Sequence, residues 1–256
     1  MTTPNSNVVL IYRMGRLLPQ TSVRLFCLPP AGGGASIFYP LMNLDSPGYS
    51  ICPVCYPGRE GRAKEPIPQS LEGLANQLTK ELMPYMDQPF MILGYSMGAL
   101  LGYEIINRLQ SLQMTLPLAF LPLASRPPHQ PLSEKLAHLD TTAFRKAVAK
   151  LGGLPQAIIE DEETMSLVEP LLRSDFRNCE NYQRTKVEKL TCPIFVTASD
   201  SDTLLEVEDI KKWKDYADGS FDITILKNQP HILPAPILAH TITQLLHHVE
   251  TLMPAN

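Results

Sequence analysis

Residues 94–98, Gly94-Tyr95-Ser96-Met97-Gly98, set a serine between two glycines. They lie where an apolar, strand-like run (89–96) turns into a helix-like stretch, "MGALLGYEIINRLQ". A Gly-x-Ser-x-Gly pattern carries meaning only in that setting. The serine then occupies a strained turn at the carboxyl end of a buried strand, and its neighbours must be small. The following helix points its first amides at the place where an oxyanion would form. The plainer reading is a tight turn whose serine caps a helix. The strand before and the helix after favour a nucleophile.

A serine hydroxyl is too weakly acidic to attack alone and needs a base. At an elbow of this kind the chain order is serine, then Asp or Glu, then histidine. Of six histidines, His129 and His138 come before any late acid, and His240, His247 and His248 fall within the last helical segment. His231, in "NQPHILPAP", sits in a loop between the last strand and the last helix, where an imidazole can reach Ser96. The orienting acid should follow an earlier strand. "CPIFVTASDSDTLL" offers Asp200 and Asp202, one of which can simply cap the next helix. The oxyanion hole should take one N–H from Met97 and a second from the glycine loop "PPAGGG", through Ala31 or Gly32. That loop lacks the Gly-Lys-Ser/Thr of a phosphate-binding loop, and Ile37 stands where a dinucleotide fingerprint needs glycine.

The elements that must hold these residues alternate. Strands are expected at 22–30, 49–58, 89–96, 115–125, 192–199 and 221–228, and helices in a short stretch opening from the glycine loop, over 70–82, from Met97 onward, around 207–217 and from about Pro236 to Leu252. Residues 126–187 hold only helical, charge-rich segments between two strands and read as a helical insertion, not a second domain. The pattern implies one α/β domain over residues 1–256, a mostly parallel central sheet with helices on both faces.

Composition narrows the remaining classes. The hydrophobic fraction is 44% and the net charge −4, with Lys and Arg scattered, so nothing marks a nucleic-acid surface. Five cysteines form no regular framework, and the Cys52/Cys55 pair reads as core thiols, not a metal or redox site. The start, "MTTPNSN", lacks the basic cluster of a secretory leader, and Arg13 interrupts the apolar stretch after it. The longest uncharged run, Gln88 to Tyr103, is short for a membrane span. A cytoplasmic protein with reduced thiols, no cofactor, no metal and no membrane association is the expectation.

Nearly the whole chain resembles the free-standing type II thioesterases that accompany polyketide and nonribosomal peptide synthetases, relatives of the medium-chain fatty acyl thioesterase. The resemblance rests on "RLFCLPPAGGGASIFYPL", "YPGREGR", "GYSMGALLGYE", "LGGLPQAI" and "LLRSDFRNCENY". It implies an α/β-hydrolase fold in which residues 126–187 form a lid. It also implies Ser96, Asp202 and His231 as a catalytic triad. The family's acid lies eleven residues before a tryptophan; Asp202 stands at that distance from Trp213, and Asp200 is the runner-up. The family's histidine usually follows Gly-Gly, whereas His231 follows Gln229-Pro230. The implied substrate is an acyl group held as a thioester on the phosphopantetheine arm of an acyl- or peptidyl-carrier protein, stalled or mis-primed. Such carriers are typically acidic, which makes Arg59, Arg62 and Lys64 the expected docking cations. Three alternatives stand beside this reading: a carboxylesterase or lipase acting on oxygen esters, a medium-chain fatty acyl thioesterase, and a catalytically inactive binding module.

Overall fold

The computed structural model describes residues 23–43, 48–132, 134–154 and 156–252. The reading of residues 1–13 as lacking a leader lies outside them. Among the described residues six strands form one sheet with every pairing parallel: β1 (Val23–Leu28), β2 (Tyr49–Pro53), β3 (Phe90–Tyr95), β4 (Phe120–Leu123), β5 (Ile194–Ser199) and β6 (Phe221–Leu226), in the order β2-β1-β3-β4-β5-β6. The helices are α1 (Leu71–Leu82), α2 (Met97–Ser111), α3 (Thr141–Lys150), α4 (Gln156–Glu160), α5 (Glu162–Asn181), α6 (Val207–Ile210) and α7 (Ala235–Leu252). Helices α3, α4 and α5 all fall between β4 and β5, within the expected insertion.

Strand alternation divides the core. Phe26, Leu28, Phe90 and Ile92 join the face covered by α1 and α2, while Leu25, Cys27, Met91 and Leu93 join the face covered by α7. Both faces of the sheet are dry, which is why these strands read as continuous apolar runs. A third cluster, with Phe144, Val148, Met165 and Leu172, belongs to the insertion. Trp213 is fully buried against Tyr103, Phe120 and Tyr216, and its indole N–H donates to the Ser125 carbonyl at 2.8 Å.

Two elements depart from the expectation. The strand expected over 115–125 shrinks to Phe120–Leu123. Pro117 and Pro122 have no N–H to give, and the ladder to β5 registers at Phe120 with Ile194 and again at Leu123 with Thr197, passing over Pro122. The helix expected after the glycine loop is a 3₁₀ segment, Ala35–Asn43, with Pro40 inside it. Cys52 and Cys55 are free and buried, and burial pushes the Cys52 thiol up to about 12. Among the described residues no His/Cys/Asp/Glu cluster could hold a metal, and no helix is long and apolar enough to cross a membrane.

The strand order places the site. β1 lies between β2 and β3, so the chain leaves β1 in one direction and returns past it in the other. A crevice opens at the carboxyl ends of strands at such a reversal. The glycine loop after β1 and Ser96 after β3 both stand there.

Candidate active site

Ser96 follows β3 directly and precedes the first residue of α2. Its backbone has φ 51° and ψ −112°, a region that ordinary side chains avoid at a cost of about 1–3 kcal/mol. The surroundings enforce it. The Ser96 N–H donates to the Leu123 carbonyl at 2.8 Å. A Cβ on Gly94 would stand 2.4 Å from the Ala99 Cα, and one on Gly98 only 2.1 Å from the Leu28 carbonyl oxygen. Strand, helix and neighbouring strand therefore close on the serine without room for a methyl group on either side. The Ser96 side chain makes no capping bond to α2, which disposes of the helix-cap reading.

The Ser96 hydroxyl instead meets His231. Its Oγ lies 3.0 Å from Nε2, and Nδ1 lies 2.7 Å from Asp202 Oδ2. An ionised carboxylate only accepts, so Nδ1 carries the imidazole proton and Nε2 keeps the lone pair that accepts from the serine O–H. His231 is 5% exposed and the Asp202 side chain fully buried. The second Asp202 oxygen accepts the Leu204 N–H at 2.8 Å, which fixes the carboxylate's orientation.

Asp200 is engaged elsewhere. It accepts from the Asn228 N–H at 2.8 Å, and pairs with Lys227 at 3.1 Å. The Asn228 N–H first, then Lys227, hold its carboxyl below the usual range. Asp200 thus ties the end of β5 to the end of β6, and Asp202 is the acid that reaches the imidazole. Asp202→Asn is expected to cost about 10⁴-fold in kcat by stabilising the wrong imidazole tautomer. Asp200→Asn should leave kcat nearly unchanged, and steady-state kinetics on the two variants would expose a reversed ranking.

The loop carrying His231 is pinned by a residue that the sequence pattern leaves unassigned. The Tyr95 hydroxyl donates to the His231 carbonyl at 2.9 Å and accepts from the Leu233 N–H at 2.6 Å. Burial holds this phenol well above its ordinary pKa, so it keeps the proton it donates. Ser199, at the end of β5, donates to the Gln229 carbonyl at 2.6 Å. These bonds hold the backbone on both sides of the imidazole. Ile232 lines the chamber beside Ser96, and Leu233 enters the core.

The glycine loop packs beside the serine. The Gly33 N–H closes a turn onto the Pro30 carbonyl at 3.0 Å, with Gly32 at φ 71°. Of the two candidate donors here, Gly32 is already committed: its N–H donates to Asp175 at 2.8 Å. That leaves Ala31, which lines the same chamber as Ser96 and Met97. The chamber walls are mainly apolar, with Ile37 and Leu100 joined by Leu132, Val148, Leu172 and Phe176 from the insertion.

Two of the three cations expected at a docking surface are not on the surface. Arg59 is 5% exposed and pairs with Asp175 at 2.8 and 3.0 Å, while Arg62 is 2% exposed and pairs with Glu65 and Glu81. Buried guanidinium groups held in this way are internal struts, and a docking role for them is withdrawn. Lys64 is exposed.

An imidazole set between a buried carboxylate and a serine on a strained elbow can deprotonate that serine as it attacks an acyl carbon. An apolar chamber beside it can hold the acyl chain. Comparison with known proteins agrees with this chemistry. The chain is 30% identical over 202 residues to the gramicidin S biosynthesis protein GrsT of Aneurinibacillus migulanus, covering 78% of this chain and 79% of that protein. It is 32% identical over 204 residues to a probable cadicidin biosynthesis thioesterase of Streptomyces griseus, covering 80% of this chain and 56% of that one, so the match spans little more than half of that relative. The solved structure of BorB, the type II thioesterase from the borrelidin biosynthetic cluster, superposes with a TM-score of 0.83 at 28% identity, covering 97% of this chain and 100% of BorB. Residues 23–248 match the thioesterase domain family, and the chain belongs to that family.

Proposed function

We propose that the protein is a serine thioesterase that removes acyl groups from the phosphopantetheine arm of acyl- or peptidyl-carrier proteins, clearing stalled or mis-primed chains from a biosynthetic synthetase. The continuous hydrogen-bond chain from Asp202 through His231 to Ser96, opening on an apolar chamber, carries the reading. Ser96 Oγ attacks the thioester carbonyl while His231 Nε2 takes its proton. The carbonyl oxygen, negatively charged in the tetrahedral intermediate, accepts from the Met97 and Ala31 N–H groups. The intermediate collapses, the C–S bond breaks, and the thiol leaves with the proton returned by His231. Water then attacks the acyl-serine by the same route, giving a free acid and a restored hydroxyl.

A thiolate leaves readily, so the burden falls on activating the serine and stabilising the oxyanion. The insertion over 126–187 acts as a lid, since α3 and α5 supply chamber walls through Val148, Leu172 and Phe176. Relatives named for gramicidin S, cadicidin and borrelidin biosynthesis support a carrier-bound substrate. A cytoplasmic location is part of the same proposal.

The test is steady-state kinetics on an acyl-carrier protein, the matching acyl-N-acetylcysteamine and a nitrophenyl ester of the same acid. The carrier-bound thioester is expected to give the highest kcat/KM. A preference for the oxygen ester would instead place the protein with the carboxylesterases. Lys64→Glu is expected to weaken turnover of the carrier-bound substrate and leave the small thioester unaffected. Equal losses on both would remove Lys64 from the docking surface.

A further inference from the structure

Asp175, in the second turn of α5 from its carboxyl end, is 1% exposed and is used by neither the acid–base chain nor the chamber wall. Its Oδ2 accepts from two donors at once: the Gly32 N–H at 2.8 Å and an Arg59 terminal nitrogen at 2.8 Å. Its Oδ1 accepts from the other Arg59 nitrogen at 3.0 Å. Arg59 also donates to the Gly33 carbonyl at 2.8 Å, and Arg59 Nε is buried without a hydrogen-bond partner. One carboxylate and one guanidinium thus grip both sides of the Gly32–Gly33 peptide.

The helix approaches the loop at the same point through Leu172, one turn before Asp175. A Cβ added to Gly32 would lie 2.2 Å from Leu172 Cδ2, so the absence of a side chain at Gly32 is what lets α5 seat. Glu60, next to Arg59, accepts from the Ala35 and Ser36 N–H groups at 2.9 and 3.1 Å and holds the loop's far end. The loop that carries Ala31 is therefore shaped on both flanks by residues from other elements, and on one flank by the insertion.

We infer that Asp175, oriented by Arg59, is a positioning residue for the oxyanion loop, and that seating of α5 completes the oxyanion hole as well as covering the acyl chain. The inference rests on the reading of Ser96 as nucleophile and Ala31 as an oxyanion donor. A helix lifted from the loop withdraws the acceptor of Gly32 and frees the peptide that follows Ala31. The unseated protein then binds substrate without stabilising the transition state, which couples turnover to closure. A displacement of about 1 Å at such a site costs on the order of 100-fold.

The test compares two double variants that both remove the buried charges: Arg59→Met with Asp175→Asn, which keeps an acceptor for Gly32, and Arg59→Met with Asp175→Leu, which does not. With an acyl-N-acetylcysteamine, the Leu-bearing variant is expected to lose about 100-fold in kcat with little change in KM, while the Asn-bearing variant recovers most of that loss. Affinity for an alkyl boronic acid, whose tetrahedral serine adduct occupies the oxyanion hole, should fall in step with kcat. The midpoint of the pH–rate profile should stay where it is. Equal kcat in two folded double variants overturns the inference. Hydrogen exchange on the wild-type protein tests it without mutation. The Gly32 amide should open with the same protection as the α5 amides around Leu172–Cys179, and both should be slowed together by the boronic acid. A Gly32 amide exchanging independently of α5 overturns it as well. The underlying reading fails separately, by Ser96→Ala retaining turnover.

Discussion

The Ser96→Ala protein is expected to fold like the wild type and to lose turnover by on the order of 10⁶-fold. The two halves of that expectation have separate causes. The unusual backbone at position 96 is imposed by the Leu123 carbonyl and by the closeness of Gly94 and Gly98 to their neighbours, and alanine keeps the same Cβ in the same place. The hydroxyl makes no helix-capping bond, so its removal leaves no orphaned amide in α2. Only the bond to His231 is lost. Chemistry fares differently, because without the nucleophile nothing can form an acyl-enzyme. A residual rate above the uncatalysed reaction should persist, about 10³–10⁴-fold, from the oxyanion donors acting on bound water. Thermal unfolding and steady-state hydrolysis of an acyl thioester measure the two halves. A rate within about tenfold of wild type would remove Ser96 as the nucleophile. A fluorophosphonate should label Ser96 in the wild type and nothing in the variant.

Loss of the base should be nearly as severe. His231→Ala is expected to lower kcat by a similar factor, and the double variant with Ser96→Ala should be no worse than either single one, since the two residues act as a unit. The loop should survive the change, because it is held through its backbone by Tyr95 and Ser199 and not through the imidazole. His240 and His247 are exposed on α7, and alanine at either should leave kcat unchanged. A multiplicative loss in the double variant would mean that His231 acts apart from Ser96, and a large loss at His240 or His247 would overturn the chain-order argument.

The parts of this site that sequence makes legible are those set by local grammar. Ser96 is recognisable because a buried strand, two flanking glycines and a helix all fall within a few residues of it. His231 is recognisable because the other five histidines lie in the insertion or in the last helix. Asp200 and Asp202 are harder to tell apart from residue order, since both follow β5 within three positions. What separates them is whether the Asn228 N–H or the imidazole lies in front of each carboxylate. The eleven-residue spacing to Trp213 that the family resemblance supplies points to Asp202, the carboxylate that faces the imidazole. Arg59 and Arg62, expected as docking cations, are buried instead, and for a related reason nothing local marks them so. Their partners Asp175 and Glu81 stand 116 and 19 residues away, beyond any local pattern. The short β4 followed from two prolines visible in the sequence, whose effect depends on which neighbour each N–H would have faced.

The distances along the chain between the assembled groups have a consequence for how activity is acquired. Ser96 and His231 meet across 135 residues, and Gly32 and Asp175 across 143. They do so over a sheet whose pairings among the described residues are all parallel, each closing a long loop. Such non-local closures form slowly, whereas helices such as α2 and α5 need only neighbours in sequence. During refolding, far-ultraviolet ellipticity can therefore return while the serine still lacks its base and the glycine loop its clamp. Regain of hydrolysis then reports the completion of long-range order, later than the return of helical signal.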